Sequence, residues 1–493
     1  MVATLDIKQA TLPTLDRLQA KVPDALDAPE IATSWFKAFA EGIETANIPG
    51  VLDLFLEDAF WRDILALTWD FRTFYGVPNV HKFLNDRLKA TGLSNLKLDV
   101  ASAALQTPYP DLAWIQAFFT FDTRVGHGSG VVRIVPTANG AWKAHAISTY
   151  LEDLHGHPES TGPLREQEPN HGKWPDKRQR EINCEGQENQ PKAVIIGGGQ
   201  SGLEIAARLK YLGVKALVVE KLPRVGNLWR VRYEALCLHD TVWYDHMPYL
   251  PFPPTWPDLC DHGVDVTMFQ RSPTYVMSTK YGGKIIFGSL YHEGGAPPDV
   301  ADRIDASFPN YLRKLVHQRF VKDIAELDKD TLEGLERVGF KLGWGIDRSG
   351  FSLLAWDKAG GYYFDVGASQ LIIDGKIKLK NDSLISRFTK TGLEFENGST
   401  LDADVVVFAT GYGDAREPLR AVLGDEVGDR LNRIWGLNSE GEIYGAWRDM
   451  GVPRLYVMMG NLALCRFHSK HLALQIKAIE EDVFDGQRYS VEA

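Results

Sequence analysis

At 493 residues, with 44% hydrophobic and 24% charged positions, the chain has the composition of a globular protein and is long enough for about three domains that each bury a core. A formal charge of -11 and a sequence pI near 5.7 count against nucleic acid as a partner, because a phosphate backbone needs a basic face. The opening MVATLDIKQATLPTLDRLQA has no apolar segment behind a basic start, and no apolar run of about 18 residues occurs; no membrane span is expected, and the expected location is cytoplasmic. Cys184, Cys237, Cys260 and Cys465 form no C-x-x-C pair, so reduced, unligated thiols and no metal site are expected.

From about Ile31 to Glu152 the pattern is helix first and strands afterwards. Ile31, Trp35, Phe36, Phe39 and Ile43 recur at helical spacing, Val51, Leu52, Leu54 and Phe55 suggest a second short helix, and a third lies near Val80 to Leu88. Runs rich in aromatic and β-branched residues surround and follow it: WRDILALTWDFRTFYG, LKLDVASAALQ, AWIQAFFTFDT, GSGVVRIVPT and AWKAHAISTYLED, the last two joined by the turn pair Asn139-Gly140. This α+β layout resembles the nuclear transport factor 2-like (SnoaL-like) cone fold. That resemblance implies a pocket on the concave face, with Asp63, Asp70 and His145 as its candidate acid-base residues. A structural or shielding role for the domain is the competing reading, since fold alone does not carry function.

Residues 155–190 are rich in Pro, Gly, Glu and Arg and poor in aliphatic side chains, which reads as a linker with one short helix. His155, His157 and His171 within it lack partners at metal-ligand spacing. The next stretch, AVIIGGGQSGLEIAARLKYLGVKALVVE, runs strand, glycine turn, helix, strand, acid. Gly197, Gly199 and Gly202 form G-x-G-x-x-G: the first permits the turn, the second lets a pyrophosphate approach the backbone, and the third lets helix and strand pack closely. Glu220 ends the second strand, where a carboxylate can accept from a ribose 2'-hydroxyl.

Downstream, Gly226, Trp229 and Arg230 form G-x-x-W-R, and LCLHDTVWYDHMPYLPFPPTWP follows. These elements resemble the class B flavoprotein monooxygenases, which include the flavin-containing, YUCCA-like and Baeyer-Villiger enzymes. The resemblance implies FAD at the glycine turn. The implied FAD contacts are Gly197, Gly198, Gly199, Gln200, Ser201, Gly202, Glu220, Lys221, Gly226, Trp229, Arg230, His239, Tyr244 and Asp245. Ala409 to Tyr412 match the second A-T-G-Y linker of these enzymes, whose first such linker this chain lacks, and add Thr410 and Gly411 at the end of what reads as a buried strand, DVVVFATGY. The terminal strand and helix add Met459, Gly460 and Asn461, with the helix N-terminus facing the flavin pyrimidine; Arg466, His468 and Lys470 read as helix-surface residues.

The NADPH half of the resemblance is incomplete. GVDVTMFQRSPTYV reads as a buried strand ending in Arg271, whose implied partner is the NADPH 2'-phosphate. A strand in that role needs a first strand, a glycine turn and a crossover helix before it, whereas PFPPTWPDLCDHG precedes it and its prolines forbid a helix. Relative to the resemblance, a block on the order of one hundred residues or more is absent between about Pro257 and Gly263. Ala306 to Ala325 reads as a surface helix, GGYYFDVGASQLIIDGKIKLK as the return from the NADPH domain with Tyr362, Tyr363 and Asp365 near the reactive region, and Asn397-Gly398 as a hairpin turn.

The fold expectation is an α+β cone domain (1–154), a linker (155–190) and an α/β Rossmann-type FAD-binding domain in two segments (191–260 and 376–493). An incomplete NADPH-binding subdomain (261–375) lies between those segments. The implied function is an FAD-dependent, NADPH-linked monooxygenase that inserts one oxygen from O2 into a small organic substrate through a flavin C4a-(hydro)peroxide. NADPH binding is expected to be poor. Three alternatives stand beside it: a catalytically silent flavoprotein or scaffold, a dehydratase or cyclase activity of the cone domain, and a gap produced by splicing or an incorrect gene model. Substrate is not specified, and homodimerisation is the tendency of the cone fold.

Overall fold

The structure, a computed structural model, describes residues 5–231, 240–252, 265–411 and 413–490. In the first 150 residues the helices are α1 (Ala28–Glu44), α2 (Ile48–Leu52) and α3 (Val77–Thr91). Helix α1 starts where the Asp27 side chain accepts from the Glu30 N–H, and it buries Ala32, Trp35, Phe36, Phe39 and Ile43 along one stripe. Helix α3 ends on Gly92 at φ 64°, a left-handed turn that glycine adopts without strain.

Six strands, β1 (Phe55–Ile64), β2 (Phe71–Tyr75), β3 (Ser94–Tyr109), β4 (Leu112–Asp122), β5 (His127–Pro136) and β6 (Trp142–Leu151), form one sheet in the order β2-β1-β6-β5-β4-β3. Only β1 and β6 are parallel. Phe55, which the sequence pattern assigns to a helix, begins β1, because Phe55 stacks on Trp61 with ring centroids 5.9 Å apart and both are buried. Asn139-Gly140 does turn β5 into β6, with Gly140 at φ 78°.

Apart from the largely exposed edge strand β3, this sheet is buried on both faces. One face carries Trp61, packed on Phe39 of α1 and Phe83 of α3; each such side chain contributes about 1.5–3 kcal/mol. The other face carries Phe60, Arg62 and Arg133, and chain from beyond residue 300 covers it. Helices α7 (Pro298–Ala306) and α8 (Asn310–Leu327) follow α4 (Trp174–Ile182), α5 (Gln200–Tyr211) and α6 (Asn227–Arg230). The Arg133 guanidinium lies 3.6 Å from the Phe308 ring centroid, and Tyr311 and Leu312 of α8 cluster with Phe60 and Tyr75. Helix α8 is therefore not the surface helix that its alternating pattern suggests: Tyr311 and Lys314 are buried against the N-terminal part of the chain, and His317 and Val321 are buried within the second half.

The second half is built from small pieces. Strands β7 (Ala193–Ile196) and β8 (Ala216–Val219) form a parallel pair. The stretch around Arg271 is not one buried strand but two, β9 (Val266–Phe269) and β10 (Tyr275–Ser278), which pair in parallel with β12 (Ile377–Lys380) and β11 (Tyr362–Asp365) respectively. Strands β13 (Ile385–Phe388), β14 (Gly392–Phe395) and β15 (Thr400–Asp402) form a meander, with Asn397-Gly398 turning β14 into β15. The long helix α9 (Leu462–Glu480) closes the chain and packs along α5.

Candidate functional site

Strand β7 delivers the chain into Gly197, whose φ of 105° favours glycine and whose N–H donates to the Val219 carbonyl at 2.8 Å. Three residues on, α5 begins with no side-chain cap, which leaves its first N–H groups for a ligand. Gly202 sits so close under the turn that a Cβ there would stand 2.1 Å from the Gly197 oxygen. A Cβ on Gly199 would come 3.3 Å from Leu228 of α6, so the G-x-x-W-R element lies against the turn. The three glycines thus have the separate local uses that the spacing suggests.

Glu220 takes up a role that the sequence does not reveal. Its carboxylate accepts from the Leu222 N–H at 2.8 Å and from the Gly198 N–H at 2.6 Å. Those N–H groups, Leu222 first, hold its pKa below the usual carboxylate range. A carboxylate offers about four acceptor positions, so two used by backbone leave capacity for a ribose hydroxyl.

The N-terminus of α9 meets the N-terminus of α5. Gln200 donates through Nε2 to the Gly460 carbonyl at 2.9 Å, and the Ser201 Oγ and Cys465 Sγ are 3.1 Å apart. Asn461 caps α9 by accepting from the Leu464 N–H at 3.0 Å, and its Nδ2 donates to the Tyr244 hydroxyl at 3.2 Å. Two helix N-termini, the glycine turn, Glu220, Tyr244, Gly460 and Asn461 are therefore linked in one region. Lys221 and Arg230 border it as exposed side chains and Trp229 as a partly buried one.

Other sequence candidates stand elsewhere. Thr410 and Gly411 are exposed, and the Asp404–Thr410 run forms no strand: Val405 is 77% and Val407 82% exposed. The expectation of a buried strand is corrected here, because among the described residues β7 pairs only with β8 and no sheet receives this run. Arg271 is exposed in the loop between β9 and β10. His239, Tyr412, Cys237 and Cys260 lie outside the described residues.

Arg466 and His468 are buried rather than on a helix surface. Arg466 grips Asp302 of α7 through two bonds of 2.8 and 2.6 Å and donates to the Tyr244 and His246 carbonyls at 2.6 Å each, mooring the 240–252 loop to α9. Lys470 pairs with Glu152, the residue just past the end of β6. Asp245, buried in this loop, has its pKa pushed up to about 7 by burial, with Asp240 adding repulsion. Sequence reasoning placed Arg466 on the helix surface and missed its partner Asp302. For Arg466 a signal exists, since it falls at helical spacing on one stripe with Leu462 and Ala473, both of them buried.

The cone-domain candidates are not assembled into a pocket. Asp63 is fully buried on the Trp61 face and accepts from Thr149 Oγ1 and Thr68 Oγ1, each at 2.6 Å, and from the Leu67 and Thr68 N–H groups. Burial pushes its pKa up to about 6 against those bonds. Asp70 is engaged by Arg448 at 2.8 Å. His145 lies against Phe60, on the opposite face from Asp63, with its Nε2 unpartnered.

No family profile matches the chain. Solved structures that resemble it include an NTF2-like protein with a cystatin-like fold from Novosphingobium aromaticivorans (14% identical, 26% of this chain, 82% of that chain, TM-score 0.21). Another is a ketosteroid isomerase-like protein from Erwinia carotovora atroseptica (11% identical, 26% and 98%, TM-score 0.20). Among curated proteins, indole-3-pyruvate monooxygenase YUCCA4 of Oryza sativa subsp. japonica is 39% identical over 69 residues, 14% of this chain and 16% of that protein. YUCCA1 of the same subspecies is 44% identical over 68 residues, 14% and 17%. An Arabidopsis thaliana protein named for the flavin-containing monooxygenases is 35% identical over 88 residues, 17% and 19%. The chain thus spans less than a fifth of the length of these relatives, and over that part it is similar to YUCCA-type and flavin-containing monooxygenases.

Proposed function

We propose that this chain binds FAD at the Gly197–Gly202 turn and acts as an FAD-dependent, NADPH-linked monooxygenase on a small organic substrate. The observation that carries the reading is the Gln200–Gly460 bond of 2.9 Å, which ties two helix N-termini at one glycine turn. The N–H groups of Gly199, Gln200 and Ser201 at the uncapped start of α5 suit a pyrophosphate. Glu220 and Lys221 suit the adenosine ribose, and Gly226, Trp229 and Arg230 border the same side. Tyr244, held by Asn461, and Gly460 suit the flavin ring, where the dipole of α9 favours negative charge. When bound, FAD supplies the redox and oxygen chemistry; the chain's own part is to hold the cofactor, orient it and exclude water around it.

The same reading has Arg271, exposed and without a glycine turn before it, binding NADPH poorly. A silent flavoprotein is the second reading, and the specific observation in its favour is the open apolar surface of the small sheet: Val194 is 61% and Ile196 73% exposed on β7.

The test is spectroscopic. Purified full-length protein is expected to carry flavin absorbance at about one FAD per chain, or to gain it on titration; protein that takes up no FAD refutes the cofactor assignment. Rapid mixing of the loaded protein with NADPH then separates the two readings. Slow but substrate-coupled bleaching supports an impaired monooxygenase, bleaching that never occurs supports the silent flavoprotein, and fast bleaching at low NADPH refutes the weak Arg271 site.

A further inference from the structure

Two groups fix Tyr244 from behind, and both hang from one carboxylate, that of Asp302 on α7. The first is Arg466: its Nε and Nη2 donate to Asp302 at 2.8 and 2.6 Å, and its Nη1 donates to the Tyr244 and His246 carbonyls at 2.6 Å each. The second is Tyr291, whose hydroxyl donates to Asp302 Oδ1 at 2.8 Å and whose ring stands edge-on to that of Tyr244, centroids 4.9 Å apart. The Tyr291 carbonyl also accepts from Thr241 Oγ1 at 3.3 Å, earlier in the same loop. At the other end of its side chain, the Tyr244 hydroxyl accepts from Asn461 Nδ2 at the start of α9, next to the Gly460 carbonyl that Gln200 reaches from the glycine turn.

Asp302 and Arg466 are both buried. A buried ion pair adds little net stability, because taking both charges out of water offsets most of their attraction. What such a pair fixes is geometry, since a planar guanidinium presents its donors at set angles. Here one side of the fork holds Asp302 and the other holds two carbonyls, two residues apart, in a stretch (240–252) that forms no helix or strand of its own. Asp302 is itself held from the N-terminal sheet. The carbonyls at the end of α7, the negative end of the helix dipole, receive the sheet's donors: Arg62 of β1 donates to that of Ala306, Arg133 of β5 to those of Ile304 and Ser307, and Tyr150 of β6 to that of Arg303. A run of hydrogen bonds thus leads from the sheet through α7 and Asp302 to Arg466 and Tyr244.

We propose, on the FAD reading of the Gly197–Gly202 turn, that Asp302 is a positioning residue of the flavin site: it makes no contact with the cofactor and sets Tyr244 against the flavin ring through Arg466 and Tyr291. The N-terminal domain thereby serves the site without a pocket of its own.

Amide hydrogen exchange on the full-length protein reads the loop without flavin, and titration with FAD, followed by absorbance, reads the site. In Asp302→Asn, exchange over 240–252 is expected to quicken at least about tenfold and FAD to bind at least about tenfold more weakly, the loss of one hydrogen bond to a charged group. The N-terminal sheet is expected to exchange as in the parent. Tyr291→Phe keeps the ring and removes only the hydroxyl bond, so the same two readouts move the same way by less; it decides the matter if Asp302→Asn unfolds throughout. Arg466→Lys keeps a charge for Asp302 but gives up the paired carbonyl bonds, and is expected to behave as Asp302→Asn does. A loop that exchanges at the parent's rate, or one that loosens while FAD affinity stays unchanged, overturns the proposal. So does faster exchange spread across the sheet in Tyr291→Phe, the mark of a merely structural pair. Failure of the FAD reading shows in the parent, which then takes up no flavin, and it takes the proposal with it; failure of the proposal alone shows only in the variants.

Discussion

Arg62 and Glu442, 380 positions apart in sequence, form a two-bond ion pair at 2.8 and 2.7 Å that clamps the N-terminal six-stranded sheet to the C-terminal half. Their side chains are 7% and 1% exposed. Every strong donor and acceptor of the pair is used: Arg62 also donates to the Ala306 carbonyl and Thr73 to Glu442. Two more such pairs stand alongside, Arg72 with Glu440 and Arg448 with Asp70. Removing one partner leaves a buried charge uncompensated, so Glu442→Gln is expected to lower unfolding stability by about 3–5 kcal/mol. Urea titration of E442Q against the double variant R62M/E442L checks this. The double variant loses less, since apolar replacement of a whole buried pair is often nearly neutral.

Gly202→Ala is expected to abolish flavin retention, because the added Cβ would stand 2.1 Å from the Gly197 oxygen and must displace the turn that receives the pyrophosphate. Flavin absorbance after gel filtration reads the loss. Gly213→Ala, where φ is 74° but nothing lies within 4 Å, serves as the control: it carries backbone strain without closing the site and is expected to keep the cofactor.

Glu204 on α5 is buried with both carboxylate oxygens unpartnered, and burial pushes its pKa from 4.5 up to about 8. A carboxyl raised in this way binds its proton more tightly in the folded state. Its contribution is full below pH 4.5 and is lost as pH rises through about 8. Glu204→Gln keeps a neutral side chain of the same shape, so its stability relative to the parent is expected to improve steadily over that window. Paired urea midpoints across the window check it, and a flat difference would show Glu204 ionised throughout.

Acid sensitivity should have the opposite sign at the buried histidines. Burial lowers His145 to about 4 and His317 and His471 to about 3 from an ordinary 6.5. The unfolded chain takes up these protons first. Stability is therefore present above pH 6.5 and declines as pH falls toward those folded values. His317 lies between Phe320 and Phe351, so His317→Phe is expected to fold and to flatten part of that decline, measured by melting temperature against pH.

The sequence alone determined what depends on neighbours a few residues apart. Gly197 and Gly202 are legible because a positive φ and a close approach exclude other side chains locally, and Asn139-Gly140 and Asn397-Gly398 turn their strands for the same reason. The stripe of Trp35, Phe36 and Phe39 places α1 because helical period is a local property. Tertiary structure alone decided what lies opposite each element. Val405 to Phe408 has the composition of a buried strand, yet Val405, Val407 and Phe408 stay exposed, because pairing needs a partner edge that local pattern does not supply. Asp63, Asp70 and His145 read as pocket residues, but Asp63 is spent on the cone's own backbone and threonines, Asp70 on Arg448, and His145 faces the other way. Arg466 and Lys470 read as surface cations until Asp302 and Glu152 arrive from distant chain to meet them. Burial and charge compensation are properties of contacts between segments far apart in sequence, and only the folded chain fixes which segments those are.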